Sequence, residues 1–134
     1  SFPTRRSSDL EQAGGDERVI FTGFVDGALR EELYSNACLF VLPSDLEGMP
    51  LCLLEAMSYG NCVITSDIEE CTNVIHDNGI SFRKSDMDDL AQKLTYALSH
   101  PNTVRMFKWL AAEYVCTRFP WERIVEETLD LYQK

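Results

Sequence analysis

Residues 38–66 read CLFVLPSDLEGMPLCLLEAMSYGNCVITS, and the order of their elements decides the fold. Cys38-Leu39-Phe40-Val41-Leu42 is wholly apolar and is stopped by Pro43. A short apolar run without alternation predicts a strand buried on both faces, as in a parallel sheet. Residues 44–49 are polar and include Gly48, which predicts a loop. Pro50 suits the first helical position, where its missing N–H is not needed. Leu51, Leu54, Ala56, Met57 and Ser58 continue a buried helix, and Gly60 stands at its C-terminal stop. Cys62-Val63-Ile64-Thr65 is the next strand, rich in β-branched residues.

The pattern extends in both directions. Upstream, Val19-Ile20-Phe21 reads as a short strand ended by Gly23. Residues 27–37 place Leu29, Leu33 and Ala37 at helical spacing with Arg30, Glu31 and Glu32 turned outward, and Asp26 is the N-cap. Downstream come a helical turn near 70–75, a weak strand at 80–82, and a helix from Asp86 to about Ser99 with acids in its first turn. Helices at 102–117 and 121–132 complete the chain. Phe107, Trp109, Tyr114 and Trp121 recur along them and are expected in the core. Strands alternating with helices predict an α/β fold: an open parallel sheet with helices on both faces.

The chain has 134 residues, which suggests one domain, and 45% hydrophobic composition supplies a core. No apolar run reaches the ~20 residues needed to span a bilayer. The net charge of −10 offers no basic stripe and argues against nucleic acid as a partner. Composition reads as a soluble cytosolic protein. The cysteines Cys38, Cys52, Cys62, Cys71 and Cys116 are odd in number and form no CxxC pair. Cys38, Cys52 and Cys62 lie in apolar runs, so buried free thiols are expected, with no metal site. His76 and His100 are isolated and receive no catalytic role.

Ligands of open α/β sheets bind outside the carboxyl ends of the strands. The loop at 43–49 leaves such an end and runs into a helix N-terminus, which offers unpaired N–H groups and a positive dipole end. A phosphate or diphosphate is the natural occupant. Gly48 permits close approach of the backbone, and Pro50 donates nothing, so the useful amides are those of Gly48, Met49 and Leu51. Glu47 lies in the loop, and Glu55 lies about 7 Å along the helix axis. Carboxylates do not bind phosphates but are strong acceptors for hydroxyls. Anion-binding amides between two such carboxylates fit a nucleotide sugar, which carries a sugar on each side of a diphosphate. A Glu in the first turns of a helix is also a common capping residue, so the pair alone leaves a structural role open.

The surrounding blocks are more specific. Phe21-Thr22-Gly23-Phe24-Val25, Leu33-Tyr34-Ser35-Asn36-Ala37 and Phe40-Val41-Leu42-Pro43-Ser44 precede Glu47-Gly48-Met49-Pro50-Leu51. Leu53-Leu54-Glu55-Ala56-Met57-Ser58, Gly60, Val63-Ile64 and Ser66-Asp67 follow. Over 17–132 the chain resembles the large group of retaining GT-B glycosyltransferases. The resemblance implies that the chain is an incomplete Rossmann-like C-terminal domain that binds the nucleotide sugar. It implies that Glu47 is the catalytic-site carboxylate on the donor sugar, that Glu55 binds the ribose, and that Ser44 lies beside the phosphates. The backbone of Gly48, Met49, Pro50 and Leu51 would face sugar and diphosphate, and Gly23, Phe24 and Val25 would contact the base.

Departures are also visible. Cys38 stands where the family usually has Asp, and Glu69 where Pro is frequent. The resemblance implies an N-terminal acceptor domain and two further strand–helix units upstream, which carry an Arg and a Lys for the diphosphate, and the 134 residues are expected to lack them. Residues 1–10 are polar and basic and resemble a translated sequencing adapter, so they are set apart as a disordered artefact, with 11–134 as the truncated domain. Arg5 and Arg6 therefore do not replace the missing cations.

In the strand order 3-2-1-4-5-6, residues 19–21 lose their partner. They are expected to be displaced or to adjoin 38–42, while 38–42, 62–66 and 80–82 stay contiguous and leave an aggregation-prone edge. The resemblance implies a cytoplasmic hexosyltransferase, at most peripheral to the inner membrane face. It would move a sugar with retention from a nucleoside diphosphate to a glycan or lipid-linked acceptor, without metal or other cofactor. The chain by itself is expected to be inactive. A sugar-nucleotide epimerase, a phosphorylase-like enzyme and a non-catalytic nucleotide-binding remnant are the alternatives.

Overall fold

A computed structural model describes residues 12–132 of the chain; the reading of residues 1–10 as an artefact lies outside them. Helix α1 (Gly27–Asn36) precedes strand β1 (Leu39–Leu42) and helix α2 (Leu51–Ser58). Strand β2 (Cys62–Ser66), helix α3 (Glu69–Ile75) and strand β3 (Ile80–Phe82) follow, then helices α4 (Met87–Ser99), α5 (Pro101–Arg118) and α6 (Trp121–Tyr132). The strands form one parallel sheet in the order β1-β2-β3, with Leu39 opposite Cys62 and Ile64 opposite Ile80.

Alternation along the strands sends neighbouring side chains to opposite faces and builds two cores. Val63, Phe40 and Leu42 pack with Leu53, Ala56 and Met57 of α2, Cys71, Val74 and Ile75 of α3, and Ala111 and Val115 of α5. On the other face, Cys62, Ile64, Phe82, Leu39 and Val41 meet Leu90, Leu94 and Ala97 of α4 and Val104 and Phe107 of α5. Helix α5 thus serves both cores, one with each half of its length. Helices on both faces of a parallel sheet are the expected α/β arrangement.

Local chemistry sets the element ends. The Asp26 carboxylate caps α1 by accepting from the Gly27 amide at 2.7 Å, and Asp86 caps α4 by accepting from the Asp89 amide at 2.8 Å. Helix α2 stops where Gly60 takes a left-handed φ of 73° and its amide returns to the Met57 carbonyl. Asn61 follows, 1% exposed, and its Nδ2 donates to the Ala56 carbonyl at 3.0 Å and the Tyr34 carbonyl at 2.8 Å. That one side chain ties the end of α2 to α1.

Several sequence expectations need correction. Residues 19–21 are loop and not strand, with Ile20 78% exposed. They pair with neither edge of the sheet, so the displaced outcome is the one observed. Strand propensity is context-dependent, and the three-stranded sheet of the described residues does not extend to this segment. Strand β1 is half-buried along its whole length, whereas β2 is fully buried. The reason is position: among the described residues nothing pairs with the far edge of β1. Leu29 and Leu33, expected inward, are about half exposed at 54% and 48%, and α1 buries no residue. Trp109 and Trp121 are exposed, while Phe107 and Tyr114 pack against the cores as expected. Only Cys62 and Cys71 are buried; Cys52 is intermediate, and Cys38 and Cys116 are exposed, all five as free thiols.

Candidate functional site

The parallel order brings three loops to one end of the sheet. They leave β1 (residues 43–50), β2 (67–68) and β3 (83–86). Side chains tie them together. The Ser66 hydroxyl at the end of β2 donates to the Ser44 carbonyl. The Ser85 hydroxyl donates to the Asp45 carboxylate at 2.8 Å, and the Lys84 amide donates to Asp67 Oδ1 at 2.8 Å. Ser85 holds φ at 59°, a left-handed conformation that costs a non-glycine residue energy and that these contacts support.

Within the first loop, Ser44 Oγ donates to Glu47 Oε1 at 2.5 Å, which fixes the Glu47 carboxylate over the turn. A charged acceptor makes this a strong hydrogen bond. Gly48 is open: a Cβ built there meets nothing within 4 Å, so a ligand can reach the backbone. Met49 and Leu51 present exposed side chains.

Pro50 differs from expectation. It is the N-cap of α2 and not its first helical residue, and it is buried. Its φ of −76° and ψ of 75° place it at the centre of an inverse γ-turn. The turn is closed by the Leu51 amide, which donates to the Met49 carbonyl at 2.8 Å. Of the three amides expected to face an anion, that of Leu51 is therefore engaged by the chain itself. Those of Gly48 and Met49 lie on the exposed loop.

Glu55 projects from the second turn of α2 toward α1. Tyr34 Oη donates to Glu55 Oε2 at 3.5 Å, and an Arg30 guanidinium nitrogen lies 3.7 Å from Glu55 Oε1. The same guanidinium lies 3.5 Å from Asp26. Gly23, Phe24 and Val25 run directly into this N-cap, and the link from Asp26 through Arg30 to Glu55 is how the structure relates them to α2. Arg30, expected to face outward, is thus a cation at the candidate site. Tyr34 and Arg30 were missed because no local signal marks them: their partner is more than twenty residues away.

Two thiols, of Cys52 and Cys71, lie near enough to Glu47 to sense its charge. Burial pushes the Cys52 thiol up, and the charge of Glu47 adds to it. Burial raises Cys71 too, with Glu47 contributing in the same direction and the Thr65 hydroxyl opposing. Both thiols stay protonated at neutral pH and are poor nucleophiles. Among the described residues no group of three or more His, Cys, Asp or Glu could hold a metal ion. No helix among them is long and apolar enough to cross a membrane. A concavity of about 440 Å³ on α4, lined by Gln92, Tyr96 and His100, contains none of the candidate residues. The arrangement can present loop amides to an anion between two oriented carboxylates.

Known proteins are similar to this chain in sequence and fold. The family described as "Glycosyl transferases group 1" matches residues 3–100. A glycosyltransferase of Methanocaldococcus jannaschii is 31% identical over 124 residues, covering 91% of this chain and 32% of that protein. The O-antigen chain mannosyltransferase B of Escherichia coli is 29% identical over 126 residues, covering 92% of this chain and 32% of that protein. The structure of sucrose-phosphate synthase from Thermosynechococcus elongatus superposes with a TM-score of 0.85 at 27% identity, over 95% of this chain and 32% of that one. The chain spans about a third of the length of the relatives it matches.

Proposed function

Since the chain belongs to the group 1 glycosyltransferases, a family of GT-B architecture, we propose that residues 11–134 are the donor-binding part of an enzyme that transfers a hexosyl group. The donor is a nucleoside-diphosphate sugar, the acceptor is a glycan or a lipid-linked glycan, and the anomeric configuration is retained. The observation that carries this reading is the loop–helix junction from Ser44 to Glu55. It places a tethered carboxylate, Glu47, and a second one, Glu55, on either side of open backbone at the carboxyl end of a parallel strand. In this reading Glu47 takes hydroxyls of the donor sugar and Glu55 those of the ribose, while the Gly48 and Met49 amides face the diphosphate. Gly23, Phe24 and Val25 lie toward the base.

These groups act by positioning and by stabilising charge as the glycosidic bond to phosphate breaks. No metal or further cofactor is required by this set of residues. The relatives support the class of reaction and span several acceptors by name, a mannosyltransferase of O-antigen and a sucrose-phosphate synthase among them. Fold and donor site alone do not set the acceptor. The family match favours transfer over an epimerase, a phosphorylase-like enzyme or a nucleotide-binding remnant. The chain spans about a third of the length of its relatives, and by itself it is inactive in this proposal.

Titration of the chain with UDP and with GDP, followed by heat or by amide chemical shifts, tests the site. One of the two is expected to bind. Glu47→Ala has little effect on the nucleotide alone but weakens the nucleotide sugar, and Glu55→Ala weakens both by about tenfold. Unchanged affinities in both variants reject the assignment.

A further inference from the structure

We propose that Tyr34 and Arg30 are positioning residues that hold the Glu55 carboxylate in the orientation that accepts a ribose diol; this deepens the donor-site reading and rests on it. The two residues are four apart on α1, so they share a face one turn apart. That face, and not the Leu29–Leu33 face, meets α2. Arg30 reaches one oxygen of Glu55 at 3.7 Å and Tyr34 reaches the other at 3.5 Å.

Tyr34 is itself held on several sides. Its ring stacks on Tyr59 with centroids 5.6 Å apart and an 18° interplanar angle, and leans on Phe40 at 5.8 Å. Its carbonyl accepts from buried Asn61. The phenol is therefore aimed by packing. Burial, with the Glu55 charge, holds it above the ordinary phenol range, so at neutral pH it is a donor only toward a carboxylate.

An ionised carboxylate has about four lone-pair directions. The Tyr34 O–H occupies part of that capacity on the side facing α1, and the Arg30 guanidinium adds an ion pair there. The rest remains on the open side, since the Glu55 side chain is 44% exposed. A carboxylate on a flexible stem loses rotamer freedom when it binds a diol, and one already held by a hydroxyl and an ion pair has less left to lose. Asp26 braces Arg30 from the other side at 3.5 Å. The N-cap of α1, the guanidinium and the ribose carboxylate thus form one chain of contacts.

A merely structural role would make Tyr34 an anchor for α1, which has no buried residue of its own. The test must separate the two roles. Tyr34→Phe keeps the stacked ring and removes only the hydroxyl. The chain and its variants are titrated with the nucleoside diphosphate that binds and with its 2′,3′-dideoxy counterpart. Tyr34→Phe and Arg30→Gln are each expected to weaken the ribonucleotide by about fivefold and to leave the dideoxy nucleotide unchanged. In a Glu55→Gln background, Tyr34→Phe adds nothing further. Equal loss on both nucleotides, or a Tyr34→Phe effect that persists without the Glu55 carboxylate, overturns the proposal. Wild-type binding with unaltered Tyr34→Phe and Arg30→Gln affinities rejects this inference alone. Failure of the wild-type chain to bind any nucleoside diphosphate rejects the donor-site reading and this inference with it.

Discussion

Cys62 shows how far the fold constrains a single side chain. It begins β2 with no exposed surface, and burial pushes its thiol up from 9.0 to about 11. Between those values the folded chain holds a proton that the unfolded chain has released, so rising pH favours unfolding. The stabilisation is complete below about pH 9 and is lost as pH rises through 11. The urea midpoint is expected to fall over that window, and Cys62→Ala to flatten part of the fall; matching profiles for the two proteins would contradict this account. At this scale the sequence revealed carboxylates and hid their partners. Glu47 and Glu55 could be read because loop and helix are local. The Ser44 hydroxyl on Glu47 is nearly local as well. Arg30 and Tyr34 could not be read, because α1 reaches Glu55 only after β1 has crossed between them in the chain.

Elements differ sharply in how much they hold the molecule together. A Cβ added at Gly79, just before β3, would sit 2.7 Å from Val63 Cγ2 and 3.3 Å from the Val63 carbonyl oxygen. Val63 is fully buried, so the strand cannot yield without disturbing the core. Gly79→Ala is expected to destabilise by about 1–3 kcal/mol in chemical denaturation, as overpacking does. Leu53 of α2 has no exposed surface and packs into the core shared by α2, α3 and α5. Leu53→Ala is expected to cost about 2–5 kcal/mol. Helix α6, in contrast, contains no buried residue. Truncation after Pro120 is expected to change stability by less than about 1 kcal/mol, and a larger loss would mean that α6 packs more tightly than its exposure indicates. The elements around β2 were legible because each has a boundary residue: Pro43, Gly60 or Asp86. Residues 19–21 and the inward face of α1 were misread because both depend on surfaces that the local pattern does not contain.

The described residues combine a well-packed centre with an apolar, open margin. Among the described residues β1 has a free edge, and Ile20, Trp109, Trp121 and Leu131 are exposed at 78%, 64%, 75% and 72%. A free strand edge beside exposed apolar groups favours self-association. The net charge of −10 opposes it at neutral pH. Light scattering is therefore expected to report association that grows with added salt and as pH falls toward the isoelectric point near 4.5. A chain that stays monomeric near that pH at high concentration would show the margin to be less adhesive than its exposure implies. The sequence by itself determined the α/β class, the order of elements from β1 to α6, and the two carboxylates of the candidate site. Periodicity, caps and helix stops act over a few residues, and the Glu47–Glu55 spacing lies within one loop and one helix. Only the tertiary structure decided that 19–21 is not a strand, that α1 turns Arg30 and Tyr34 toward Glu55, and that the Leu51 amide is spent on a γ-turn. Each of these depends on whether a partner surface exists for a group to meet, and that is a property of the folded arrangement and not of any local stretch of chain.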